Sequence, residues 1–323
     1  MKKSYLFLLA LCAVVLLPGC GNNASPKKVR LVFVGGSPDN YWSIVQLGCD
    51  FATRQFTDVD LDFRYLENGT TPAQQELLGA LVTNGVDGIA ISPIDPDSQT
   101  DFLNKIAAST VLVCADSDAP QSKRQCYIGA DNVVAGTQAA ELLKAALPQG
   151  GKIVLFISYT NAENTKDRIQ GIQNGLVGSS IKIVATMVDG AASDIAQKNA
   201  EDALAKYPDL VGMACLNGYQ GPAVLTAVRH AARAGQVKIV CFEDYSATMD
   251  GIASGDIYGT IVENPLRIGF QTIARMEKYL HGDKTQFADG KVFIPSQPIT
   301  KANLADYLAV QRNVLLQTQA RDR

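Results

Sequence analysis

Two histidines, one tryptophan and no Cys-x-x-Cys pair occur in this chain of 323 residues. With only His230 and His281 to draw on, a zinc site would depend on scattered cysteines and carboxylates, none at ligand spacing. Neither a metal nor a cofactor is expected. No nucleophile elbow, phosphate loop or zinc-helix motif appears, so the usual marks of hydrolases and nucleotide-dependent enzymes are missing. A glycoside-acting enzyme would need two carboxylates at a separation that no sequence displays. The chain is therefore read as a non-enzyme, with that activity kept only as an alternative. The formal charge is −3 and no basic cluster stands out, which leaves no general attraction to nucleic acid or anionic lipid. Beyond the first twenty residues, no hydrophobic run is long enough to span a bilayer.

The amino terminus does carry an export signal. Lys2 and Lys3 precede an apolar stretch from Tyr5, and Leu17-Pro18-Gly19-Cys20 closes it with small residues. The apolar stretch is too short for a comfortable membrane span. The Leu-x-Gly-Cys context resembles that of bacterial lipoproteins, which implies cleavage after residue 19 and lipid attachment at Cys20, where several acyl chains give lasting anchorage. Residues 20–28 are polar and without periodicity, as suits a tether. The expected location is the periplasmic or extracellular face of a membrane. Loss of residues 1–19 removes two lysines and no acid, so the mature chain is two charges more negative than −3.

Roughly 300 mature residues exceed what one core normally serves, so two domains are the default. Of seven cysteines, Cys12 goes with the signal and Cys20 with the lipid, leaving Cys49, Cys114, Cys126, Cys215 and Cys241. Cys114 and Cys126 are the nearest pair in sequence, yet all five sit in apolar runs, and buried free thiols are the favoured reading.

Short runs rich in Val and Ile alternate with helix-patterned segments, the sign of parallel sheets covered by helices. Strands are expected at 29–35, 60–66, 88–92, 111–115, 125–129, 152–157, 182–188, 211–216, 238–242 and 257–262. A helix over Tyr41 to Phe56 aligns Val45, Cys49, Ala52 and Phe56 on one stripe, and Thr71-Pro72 opens the next with a cap and a first-turn proline. The fold class is α/β.

Open α/β sheets bind ligands beyond the carboxyl ends of their strands. Those positions here are polar and aromatic: Gly35 to Trp42, Ser92-Pro93, Asp116-Ser117-Asp118, Asn217-Gly218-Tyr219 and Glu243-Asp244-Tyr245. Together with Gly85 to Pro93, Tyr127 to Asn132, Arg168-x2-Gly171, Cys241-Phe242-Glu243, Gly259 to Pro265 and Thr300-x2-Asn303, they make the chain similar, from Val29 to Tyr307, to periplasmic sugar-binding proteins of the ribose-binding branch.

That resemblance implies two similar doubly wound parallel-sheet lobes joined by three hinge crossings, the type 1 periplasmic binding protein fold. The lobes would be 29–130 plus 264–295, and 131–263 plus 296–323. A monomer would hold a sugar or sugar-like polyol in the cleft and deliver it to an ABC permease, or else feed a sensor kinase or chemoreceptor. By the family's pattern, Tyr41 and Trp42 sandwich the sugar ring, Asp39, Ser92, Asp116 and Ser117 reach it from one lobe, and Arg168, Asn217, Glu243 and Glu263 from the other.

Departures from the family's pattern set this pocket apart. Ser117 stands where the ribose binder has an arginine, Gly190 or Ala191 replaces an aromatic, and Glu263 stands where an uncharged amide is usual. Asp39, Asp116, Glu243 and Glu263 facing one Arg168 predict a negative cleft, which favours an amino sugar or another cationic polyol, or a buried protonated carboxylate. Asp244 is a second candidate for the role of Glu243, because the register after Phe242 is open by one residue.

Overall fold

The computed structural model describes residues 28–311. The export signal, Cys20 and the tether before Lys28 lie outside the described residues. In chain order the first strands are β1 (Val29–Val34), β2 (Val59–Arg64), β3 (Gly88–Ile91), β4 (Val111–Ala115) and β5 (Cys126–Gly129). Next come β6 (Gly151–Ile157), β7 (Ile181–Val188), β8 (Leu210–Cys215), β9 (Lys238–Phe242) and β10 (Gly259–Val262), and finally β11 (Lys291–Phe293) and β12 (Gln297–Thr300). Nine helices among the described residues separate them: α1 (Asn40–Gln55), α2 (Thr71–Thr83), α3 (Pro96–Ala107), α4 (Asn132–Ala146), α5 (Glu163–Gly175), α6 (Ser193–Lys206), α7 (Gln220–His230), α8 (Ser246–Ser254) and α9 (Pro265–Leu280).

The strands form two six-stranded sheets, β2-β1-β3-β4-β5-β11 and β7-β6-β8-β9-β10-β12. All pairs are parallel except β10 with β12. Each sheet therefore reverses its strand order once, between β1 and β3 and between β6 and β8. The chain passes from one sheet to the other between β5 and α4, between β10 and α9, and between β11 and β12, since α4 packs on β9, β10 and β12 while α9 packs on β1, β4 and β5.

Alternation along the central strands divides each core in two. Leu31 and Phe33 of β1 face the layer that contains α1 and α9, and Val32 and Val34 face the layer of α2 and α3. In β6, Val154 and Phe156 face one layer while Ile153, Leu155 and Ile157 face the other. Strands buried on both faces must be apolar throughout, which is why they read as continuous Val and Ile runs. Each fully buried side chain of this size contributes about 1.5 to 3 kcal/mol.

Two helix pairs meet at glycine notches. A Cβ on Gly48 of α1 would lie 2.0 Å from the Leu266 carbonyl, and one on Gly136 of α4 would lie 2.2 Å from the carbonyl of Arg168 in α5. Side chains at these points would force the helices apart.

The helix cap expected at Thr71 lies one residue earlier. Thr70 is the cap, its hydroxyl accepting from the Ala73 N–H, and Thr71 and Pro72 fill the first turn. Strands β11 and β12 were not anticipated. The five described cysteines are free and buried, Cys114 and Cys126 among them, and burial pushes the Cys126 thiol up to about 11. No helix among the described residues is long and apolar enough to cross a membrane.

Candidate ligand-binding site

A cavity of about 290 Å³ lies between the two sheets, beyond the carboxyl ends of their strands. That volume is near the small end of the range for ligand pockets, about 300 to 1,000 Å³. Asp39, Tyr41, Trp42, Ser92, Asp116, Ser117, Arg168, Asn217 and Glu243 all line it. Glu263 does not. It sits behind Arg168, 1% exposed, with Oε2 2.6 Å from the guanidinium Nη2.

Local folding explains each placement. Asp39 caps α1 by accepting from the Trp42 N–H at 2.9 Å, which sets Tyr41 and Trp42 of the first turn beside the gap. Gly35 and Gly36 let the indole lie flat on the backbone, since a Cβ on Gly36 would fall 2.4 Å from Trp42 Nε1. Arg168 projects from α5, where its side chain donates to Asn132 Oδ1 at 2.8 Å and to the Leu216 carbonyl, and lies over the Phe242 ring at 4.5 Å. Asn217 Oδ1 accepts from the Ser158 N–H at 3.1 Å, tying the tips of β8 and β6 together.

Asp116 and Glu243 end β4 and β9 in the left-handed region, at φ 67° and 65°. A non-glycine residue there costs on the order of 1 to 3 kcal/mol, and such residues cluster at ligand sites. Asp116 accepts from Tyr41 Oη at 2.8 Å, Ser92 Oγ at 2.9 Å and Asn164 Nδ2 at 3.2 Å. Both carboxylate oxygens of Glu243 are buried without a hydrogen-bond donor.

Burial raises the pKa of every acid at the site. It acts on Asp39 and on Asp116, in both cases against hydrogen bonds that favour the charged form. Glu243 is pushed well above the carboxylate range by burial and then by Glu263. Glu263 rises to about 7 through burial, against the pull of Arg168. Burial also works against the Arg168 charge, but Glu263 and Asp116 hold it firmly protonated.

The two halves touch across the gap. Asn164 of α5 reaches Asp116, and Tyr245 donates to Asp39 Oδ2 at 3.0 Å. On the rim, Lys166 pairs with Asp97 at 2.7 Å and Asn161 with Asp95 at 3.2 Å. Tyr159, Tyr219 and Tyr245 add aromatic wall from the second sheet, near the Ala191 position where an aromatic was missed. Asn164 and Tyr159 had escaped the sequence reading, although the same strand-tip rule applied to the segment after β6 would have found them. Asp244 turns away and accepts from Tyr307, so Glu243 is the residue that faces the cavity. His281 bonds Asp58 Oδ2 at 3.0 Å beside the start of β2, the end of the sheet opposite the cavity.

Such a site offers acceptors, donors and flat aromatic faces around a small volume. It can hold a compact molecule that is polar at its edges and apolar on its faces.

Known proteins share this architecture. A ribose- and allose-binding protein of Pseudomonas aeruginosa is 23% identical over 91% of this chain and 95% of its own length. A fructose import binding protein of Bifidobacterium longum is 24% identical over 87% of this chain and 90% of its own. An ABC transporter solute-binding protein of Burkholderia graminis, solved in complex with D-arabinose, superposes with a TM-score of 0.80 at 26% identity, covering 86% of this chain and 97% of that one. The sequence pattern of the periplasmic binding protein domain matches residues 31–284, spanning both sheets. The two sheets, the three passages between them and this match agree: the chain belongs to the periplasmic binding protein family.

Proposed function

We propose that this protein is an exported, lipid-anchored solute-binding protein that captures a sugar or sugar-like polyol between its halves and delivers it to an ABC importer. The observation that carries this reading is the convergence of strand-tip groups from both sheets on one shared cavity: Asp116 and Ser92 from the first, Asn217 and Glu243 from the second. Every hydroxyl of a polyol is both donor and acceptor. A closed site must supply partners for each, and an unpartnered one costs about 1 to 3 kcal/mol. Trp42 and the tyrosines suit the C–H faces of a sugar ring. The relatives named above that bind ribose, allose, fructose or arabinose support the same class.

In this reading, residues 29–130 with 264–295 form one lobe and residues 131–263 with 296–323 the other, of which 312–323 lie outside the described residues. Ligand contacts are Asp39, Tyr41, Trp42, Ser92, Asp116, Ser117, Arg168, Asn217 and Glu243, while Glu263 acts through Arg168. A ligand that touches both lobes favours the closed state by its differential affinity, and the closed form is what a membrane permease docks. Cys20 keeps the protein at the membrane face.

A thermal-shift screen of the mature protein against monosaccharides, polyols and nucleosides tests this, because a ligand of the native state raises the melting temperature. Hits should also change the emission of Trp42, the sole tryptophan, which is buried against the cavity. Stabilisation by nucleosides alone, or by nothing in the set, would refute the reading.

A further inference from the structure

We infer that the ligand carries a positively charged amine, and that Glu243 is the group that receives it. Given the polyol reading of the cavity, the class narrows to amino sugars and aminocyclitols.

Among the residues that line the cavity, Asp39, Asp116 and Glu243 are acids, Arg168 is the one base, and no lysine or histidine is present. The charge of Arg168 is already engaged, since its Nη2 lies 2.6 Å from Glu263. Asp39 is satisfied by the Trp42 N–H and by Tyr245, and Asp116 by Tyr41, Ser92 and Asn164. Glu243 differs from both. It borders the cavity, is 3% exposed, and has both carboxyl oxygens buried without a donor. What it lacks is a donor, and the positive charge that acts on it, Arg168, is paired with Glu263.

A neutral hydroxyl would bring one proton to share and no charge, so a neutral sugar leaves the acids of the cavity without a counter-ion. A primary ammonium brings three donors and the missing charge together. The tyrosine and tryptophan walls favour it further, because aromatic faces attract cations. Burial first, and then the neighbouring acids Glu263 and Asp244, raise the Glu243 pKa in the empty protein against the pull of Arg168.

Calorimetric titration of the mature protein at pH 7 with matched pairs tests the inference: glucose and glucosamine, galactose and galactosamine, inositol and an aminoinositol, with N-acetylglucosamine as an uncharged amide control. At least one amine should bind roughly thirtyfold or more tightly than its neutral partner, the scale of one buried charge-assisted contact. Glu243→Gln should collapse that margin, and its ligand-free melting at pH 7 shows that it folds. Equal or better binding of the neutral partner overturns the amine and leaves the polyol reading standing. A margin unchanged in Glu243→Gln overturns the assignment to Glu243. No binding by any neutral or amino member removes the polyol reading and the inference with it.

Discussion

Asp116 and Glu243 hold equivalent posts in the two sheets. Asp116 follows the Ala115–Ile128 register pair of β4 and β5 and donates its N–H to Ile128; Glu243 follows the Phe242–Ile261 pair of β9 and β10 and donates its N–H to Ile261. Both lie in the left-handed region, at φ 67° and 65°. They differ in company, for Asp116 has three donors and Glu243 has none. One fold position therefore serves a prepared acceptor in one half and an acid without hydrogen-bond partners in the other.

Stability of the ligand-free protein should fall as pH rises. A carboxyl whose folded pKa is raised binds its proton more tightly in the native state, so the slope of stability against pH is negative above the unfolded value, about 4.3 for Glu. Glu243, Glu263, Asp116, Asp39 and Asp189 all act in this direction, as does Asp167, which burial and then Glu163 lift to about 6. Melting temperatures between pH 5 and pH 8 should decline. Glu243→Gln should make the decline shallower and be the more stable form at pH 8; an unchanged slope would show that Glu243 does not titrate in this window.

Breaking the Arg168–Glu263 pair should cost far more than neutralising its acid. Arg168→Met leaves a carboxylate 1% exposed without its cation, which removes about 3 to 5 kcal/mol. Glu263→Gln keeps an acceptor for the guanidinium and should cost less than half of that. Urea unfolding of both variants at pH 7 gives the comparison.

Helix packing is coupled to the cavity through Gly136. Its would-be Cβ meets the backbone carbonyl of Arg168 itself at 2.2 Å, so Gly136→Ala must push α5 outward and carry Arg168 and Asn164 with it. Overpacking of this kind costs about 1 to 3 kcal/mol, and ligand affinity should weaken alongside. Gly79→Ala in α2 is the control: nothing lies within 4 Å of its added methyl, and helix propensity favours alanine by about 1 kcal/mol. Equal effects of the two variants would mean that the notch is not filled as described.

Much of the fold was legible because strands buried on both faces leave no room for polar residues. Strands β11 and β12 were not, and the reason is physical: they are edge strands in which one residue of seven is buried, so no apolar run marks them. The cap at Thr70 was misplaced by one because either threonine could accept from the helix N–H groups. At the site, the rule that ligands sit beyond strand tips located Ser92, Asp116, Asn217 and Glu243. It could not separate Glu243 from Asp244, since adjacent residues point to opposite sides and only the Tyr307 contact decides which turns away. Nor could it tell that Glu263 serves Arg168 from behind, because a residue at the end of a fully buried strand has buried surroundings on either face.

Closure should depend on the buried bridge more than on the rim. Lys166 and Asp97 are 36% and 70% exposed, so their attraction competes with water and salt and contributes at most about 1 kcal/mol. Lys166→Ala should shift apparent ligand affinity by no more than about fivefold. Asn164 is buried and donates to the carboxylate of Asp116 from the opposite half. A hydrogen bond to a charged group contributes about 1.5 to 3 kcal/mol, so Asn164→Ala should weaken binding by roughly ten- to a hundredfold and enlarge the open fraction seen by small-angle scattering without ligand. If the rim variant proved the more damaging, the halves would be held together by their outer charges and not by the groups that surround the cavity.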